Sequence, residues 1–214
     1  MALVLLTHET PIKSGGEKLV FLHPHQPGQL IKIINTRYIR YMYAQWPLLI
    51  RLQRLAHYWS HQRELMEHIA ARAHGVQKLH HMQTITGLAD TDLGLGIVIT
   101  AIVKRNGQLA DTLSERIQQG QFGQKEAAAL HQFCEWLATA PLIVRDLTTR
   151  NLVWDETGEH FVVIDGVGAR LRPSLRSLSS HYNRYSNCKK IEKLKQRVMH
   201  QLRQHSTAGH LSTG

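Results

Sequence analysis

From Leu142 the chain reads LIVRDLTTRNLVWDETGEHFVVIDG, and this stretch constrains the fold more than any other. Two short apolar runs, Leu152-Val153-Trp154 and Phe161-Val162-Val163-Ile164, flank the turn Asp155-Glu156-Thr157-Gly158, which predicts a β-hairpin. An Arg-Asp pair precedes the hairpin and Ile-Asp-Gly follows it. Asp146, Asn151 and Asp165 are therefore three oxygen-bearing side chains at spacings of 5 and 14 residues, brought together if the hairpin closes. Phosphoryl transfer needs such a set: one carboxylate to orient an attacking hydroxyl and accept its proton, and an amide and a second carboxylate to hold Mg²⁺ against phosphates.

The rest of the chain predicts an α+β protein. Leu19–Leu22 and Leu30–Ile34 read as an antiparallel strand pair, joined through HPHQPGQ and preceded by the turn Ser14-Gly15-Gly16. Trp46–His74 has helical spacing of Leu48, Leu52, Leu55, Trp59, Leu65 and Ile69, with Gly75 as a stop. Further strands are expected at Val76–Thr86 and Gly94–Val103, separated by the polar loop Ala89–Asp92, and helices at Leu109–Ile117, Lys125–Ala138 and Lys189–Gln204. In the last helix Ile191, Leu194, Val198 and Leu202 share one face. Strands dominate early and helices late, unlike alternating βαβ units.

Composition excludes several classes. An apolar share of 43% is too high for a disordered chain, and two cysteines, Cys134 and Cys188, do not make a disulfide scaffold. Cys134 is expected in the core and Cys188 at the surface. The length of 214 residues suits one domain or one domain in two lobes. Neither a signal peptide nor a spanning helix is legible, since the apolar run Leu93–Val103 is about half of what a bilayer requires. A cytoplasmic protein with reduced thiols is expected.

The charge is lopsided. Of a net +10, the segment Arg170–Arg203 holds +9, from ten Lys/Arg and the single acid Glu192. It reads as a solvated helix face or as a contact for an anionic partner. Nucleic acid is disfavoured, because only Tyr182 and Tyr185 are available there for base stacking. The 15 histidines, including His57 and His61 at i, i+4, His80-His81 and His23-Pro24-His25, read as surface or packing residues rather than metal ligands.

The motif resembles the protein-kinase superfamily. VRDLTTRN is similar to the catalytic loop H-R-D-x-x-x-x-N, and IDG stands where D-F-G would. The resemblance implies a two-lobed kinase-like fold: a β-rich N-lobe over 1–104 and a truncated helical C-lobe over 105–214. It makes Asp146 the catalytic base, Arg145 the residue that fixes the loop, and Asn151 and Asp165 the Mg²⁺ ligands. Lys32, in LIKII, takes the place of the lysine that grips ATP phosphates, and Glu64, in HQREL, that of its ion-pair partner. A lysine on so apolar a strand needs such a partner. Gly15 and Gly16 fall where a phosphate-covering loop belongs, and Ile102 at the start of the adenine hinge.

More closely, the chain is similar to the YrbL family of the PhoP regulatory network. That resemblance runs from Gly15 to Val198 through His23-Pro24, the IK of Lys32, the REL of Glu64, the catalytic-loop core and the DG end. It implies a kinase-like fold with a short C-lobe, in a regulatory or envelope-stress setting, and no assigned substrate. ATP and Mg²⁺ are the implied cofactors, and a protein, sugar or lipid hydroxyl the implied acceptor. The chain departs from the kinase pattern at Val144, where His is usual, in lacking the Phe of D-F-G, and in its bare Gly-Gly turn. The 32 residues between Lys32 and Glu64 imply an insertion around Tyr38–Trp59, and no A-P-E segment follows Asp165. These departures define the alternative: a pseudokinase that binds nucleotide or a partner without transfer.

Overall fold

The structure is a computed structural model that describes residues 3–45, 48–51, 58–73, 79–169 and 179–211. The chain divides into two compact units, Met1–Met66 with Thr84–Ala101, and Glu67–Gln83 with Ile102–Gly214. The protein is mixed α+β, with a sheet in its N-terminal region and helices C-terminal.

The first unit is built on five antiparallel strands, β1 (Lys13–Ser14), β2 (Lys18–Leu22), β3 (Gln29–Ile34), β4 (Ile85–Thr91) and β5 (Gly94–Thr100), in the order β1-β2-β3-β5-β4. Central β3 pairs Lys32 with Val20 on one side and Ile97 on the other. Strand alternation therefore puts Phe21, Ile31, Ile33 and Val98 on one face, where Val4 and Leu6 cover them. The opposite face carries Leu30, Ile97 and Ile99 beside Val20 and Leu65, and with them Lys18 and Lys32.

Two expectations are corrected here. Of the strand placed at Val76–Thr86, 76–78 lie outside the described residues and 79–84 are not strand; the strand here is Ile85–Thr91, so Ala89, Asp90 and Thr91 are strand rather than loop. Asp92 forms the turn, and its carboxylate accepts the Leu6 amide at 2.7 Å and the Thr7 amide at 3.0 Å, closing the N-terminal segment onto this edge. The helical stretch set at Trp46–His74 is α2 (Leu48–Arg51) and α3 (Trp59–Ala73), with 46–47, 52–57 and 74 outside the described residues. Ahead of them an unexpected helix, α1 (Thr36–Ala44), begins at Asn35, whose side chain accepts the Tyr38 amide.

Helix α3 also turns the other way from its apolar pattern. Ile69 is 61% exposed, whereas Ser60, His61, Glu64, Glu67, His68 and Ala71 are buried. These positions recur at i, i+3, i+4 and i+7, so they form one helix face. The buried charges on that face find partners, described below, and this outweighs the placement of one isoleucine.

The second unit contains α4 (Leu113–Gln118), α5 (Gln124–Thr139), the hairpin β6 (Leu152–Asp155) and β7 (His160–Val163), and the terminal helix α6 (Ser180–Leu211). Helix α4 starts four residues later than expected, at a capping box in which Thr112 and Glu115 satisfy each other's backbone amides. Phe133, Leu137, Leu142, Leu152 and Phe161 are fully buried in one core, which Ile191, Leu194 and Val198 of α6 complete. Leu202 packs at its margin. Buried Asn187 donates to the carbonyls of Leu137 and Leu142, at 3.2 and 2.9 Å, and Asn183 also donates to Leu142. These bonds fix α6 against the end of α5 and the segment that follows. Cys134 is buried and Cys188 exposed.

Candidate active site

In the second unit the residues from Ile143 to Asn151 form a loop held by backbone bonds to Gly166 and Gly168. Both the Arg145 and Asp146 amides donate to the Gly166 carbonyl, at 2.6 and 3.0 Å, and Gly168 donates to Ile143 at 2.7 Å. Val144 bridges Val167 between them. At the far end of the loop Ile164 donates to the Asn151 carbonyl at 2.9 Å, where β7 runs out. The hairpin thus returns the chain to the loop it left and sets Gly166, the neighbour of Asp165, against the backbone of Asp146.

Three further contacts clamp the loop. Glu67 accepts the Ile143 amide at 2.6 Å, Ser114 donates to the Thr149 carbonyl at 3.0 Å, and Arg197 Nη1 donates to the Leu147 carbonyl at 2.9 Å. The side chains follow this frame. Asp146 is exposed. Asn151 turns its amide nitrogen to the Asp146 carbonyl at 3.0 Å and to Asp146 Oδ2 at 3.4 Å, which leaves the amide oxygen facing away from that contact. Asp165 is half-buried, with Oδ1 accepting the Gly166 amide at 2.7 Å. Arg145 is half-buried at the base of the loop.

The first unit holds its own charged cluster on the α3-facing side of the sheet. Lys32 Nζ and Glu64 Oε1 are 2.7 Å apart, so the 32 intervening residues do not prevent the pairing. The other carboxylate oxygen, Oε2, takes Lys18 Nζ at 2.5 Å. All three side chains are buried. Removing such charges from water is unfavourable unless the geometry and hydrogen bonding are good, and here each oxygen has its own ammonium donor.

Lys18 was missed by sequence reasoning, and its signal was parity. It stands two residues before Val20, which pairs with Lys32, so both lysines share one sheet face. His61 belongs to the same cluster. Its Nε2 must donate to the Lys32 carbonyl, 3.0 Å away, leaving Nδ1 buried and unprotonated. Burial first, and the positive charge of Lys18 next, push its pKa down to about 4.

The remaining predicted residues are placed as follows. Gly15 and Gly16 form the short turn between β1 and β2, with the Gly15 amide donating to Lys18 O at 2.9 Å and the Tyr38 ring against Gly16. Ile102 opens a small hairpin in which its carbonyl accepts Ala110 at 2.9 Å and the Lys104 amide donates to Gln108 at 2.7 Å. That bond commits the Lys104 amide, in the segment expected to meet adenine. His57, Arg170, Arg172 and Arg176 lie outside the described residues. Among the described residues no three His, Cys, Asp or Glu side chains are grouped to hold a metal, and no helix is long and apolar enough to cross a membrane.

The sequence profile described as PhoP regulatory network protein YrbL matches residues 4–199, nearly the whole chain. The chain belongs to the YrbL family. No curated protein matches it. The YrbL match takes in the Lys18–Glu64–Lys32 cluster and the loop of Asp146, Asn151 and Asp165 alike.

Proposed function

We propose that the chain is a kinase-like, ATP-dependent phosphotransferase of the cytoplasm, acting on a hydroxyl group within a regulatory network. The observation that carries this reading is the convergence of Asp146, Asn151 and Asp165, held by the paired amide bonds to Gly166. Any one of these residues is common in loops. A scaffold has no need of two carboxylates and an amide on segments pinned to one backbone carbonyl.

The donor set fits Mg²⁺. Asp165 and Asn151 offer hard oxygen ligands with no sulfur or imidazole, and the hydrogen bond from the Asn151 amide nitrogen leaves its oxygen for a cation. Bound there, Mg²⁺ would neutralise charge on ATP phosphates. Lys32, oriented by Glu64, would donate to phosphate oxygens. Asp146 would accept a hydrogen bond from the acceptor hydroxyl and take its proton. The acceptor oxygen then bonds to the γ-phosphorus, the bond from that phosphorus to the β,γ-bridging oxygen breaks, and ADP leaves. Most of the acceleration in such a site comes from positioning and charge neutralisation.

Asp146→Asn tests the assignment, because it keeps the shape and removes the base. Transfer should fall about 10²- to 10⁴-fold while ATP binding is retained. Equal turnover in the variant would overturn the role given to Asp146.

A second reading, a pseudokinase, has one observation in its favour. The Gly15-Gly16 turn is short and packed against Tyr38, unlike an extended flap over a triphosphate. On that reading the chain binds ATP or a partner and transfers nothing.

A further inference from the structure

The second unit contains a groove that the proposed chemistry leaves unused. It is an open groove of about 520 Å³, with Thr149 of the Asp146–Asn151 loop on one side and Lys193, Arg197, His200 and Gln201 of α6 on the other. The last four are spaced i, i+4, i+7 and i+8, so they form a single stripe of the helix.

Among the described residues no carboxylate lines this groove. Lys193 and His200 make no ion pair or hydrogen bond among the described residues. The nearest acid in sequence, Glu192, pairs with Lys195 at 3.4 Å instead. Arg197 uses Nη1 on the Leu147 carbonyl, which fixes the guanidinium beside the loop and leaves most of its five N–H donors for another acceptor. Like charges at i, i+4 destabilise a helix. Lys193 and Arg197 repel each other with no counter-charge in the groove, and a bound anion would relieve this. Gln201 is held at the wall of the groove, where its Nε2 donates to Ser114 Oγ at 3.3 Å.

From this set of groups we infer that the groove binds the phosphate monoester of a small molecule. Lys193, Arg197 and His200 meet the phosphate. The volume of the groove suits a small ligand. The inference rests on the geometry of this unit alone and does not require phosphotransfer. It places an anionic ligand against the loop that carries Asp146.

Calorimetric titration of the full chain with glycerol phosphate at fixed ionic strength tests it. One saturable site is expected, weakened at least tenfold in the Lys193→Gln/His200→Gln double variant. Binding should be unchanged in Lys195→Gln, which removes a charge outside the groove, and in Lys32→Met, which separates the groove from the nucleotide site. Sedimentation with vesicles containing phosphatidic acid, a monoester, or phosphatidylglycerol, a diester, tells a lipid source from a soluble one. Selective binding to phosphatidic acid with the same variant pattern supports the site with a lipid headgroup as ligand. No saturable binding of either monoester overturns it, as does an equal loss in Lys195→Gln, loss in Lys32→Met, or binding of duplex DNA or heparin alone.

Discussion

Gly166 is packed so closely under Asp146 that a Cβ at position 166 would overlap the Asp146 carbonyl oxygen. Gly166 also has a φ of +78°, in the left-handed region that side chains disfavour. The same residue supplies the carbonyl that binds the Arg145 and Asp146 amides. One glycine therefore sets both the approach and the hydrogen bonding of the two carboxylate-bearing segments.

Gly166→Ala should lower stability by about 1–3 kcal/mol, the range for backbone strain of this kind. It should also abolish transfer, because Asp165 can no longer sit beside Asp146. Urea unfolding and an activity assay on the soluble variant check both. An alanine variant with wild-type stability and turnover would contradict the packing described.

The buried cluster predicts an asymmetry between its members. Glu64→Ala takes a carboxylate partner from two buried ammonium groups and should cost about 3–5 kcal/mol, as when one partner of a buried ion pair is lost. Lys18→Met leaves the Lys32–Glu64 contact of 2.7 Å in place and should cost less. Denaturant midpoints of the single variants measure the difference. A Glu64→Ala loss no larger than that of Lys18→Met would show that the carboxylate does not anchor both lysines.

His61 gives the first unit a pH dependence with a defined sign. Its folded pKa of about 4 lies below the ordinary 6.5, so the unfolded chain binds more protons between these values. Stability from this group is complete above about pH 6.5 and falls as pH drops toward 4. The full effect is on the order of 3–4 kcal/mol, at about 1.4 kcal/mol per pKa unit. His61→Gln should flatten the unfolding free energy over that window, and the His61 ring resonances should titrate near pH 4 in the wild type. A midpoint near 6.5 would mean that the ring is solvated.

The loop that carries Asp146 and its hairpin were legible in the sequence because they are local. Asp146, Asn151 and Asp165 lie on one hairpin and its two flanks, and the apolar runs of β6 and β7 with the turn at Asp155 bring them together without distant information. Lys32 and Glu64 were legible only through the resemblance, since their contact joins a strand to a helix across 32 residues. Lys18 was not legible, because a lysine leading a strand looks like an exposed end until register with Ile34 puts it on the buried face. Strand β4 was misplaced for a related reason. It lies at the sheet edge, and its sequence ITGLADT carries Gly87 and Asp90, which read as loop residues. Helix α1 was hidden because it is short and buries only Ile39, so no run of apolar residues marks it.

The central claim is that Asp146, Asn151 and Asp165 perform phosphoryl transfer. Its most direct test is incubation of the purified chain with γ-labelled ATP and Mg²⁺, with and without cell lysate, beside Asp165→Ala. The account predicts that label moves to an acceptor in the wild type and that none moves in the variant. ATP bound without transfer of label, or label moved equally by both proteins, would contradict it.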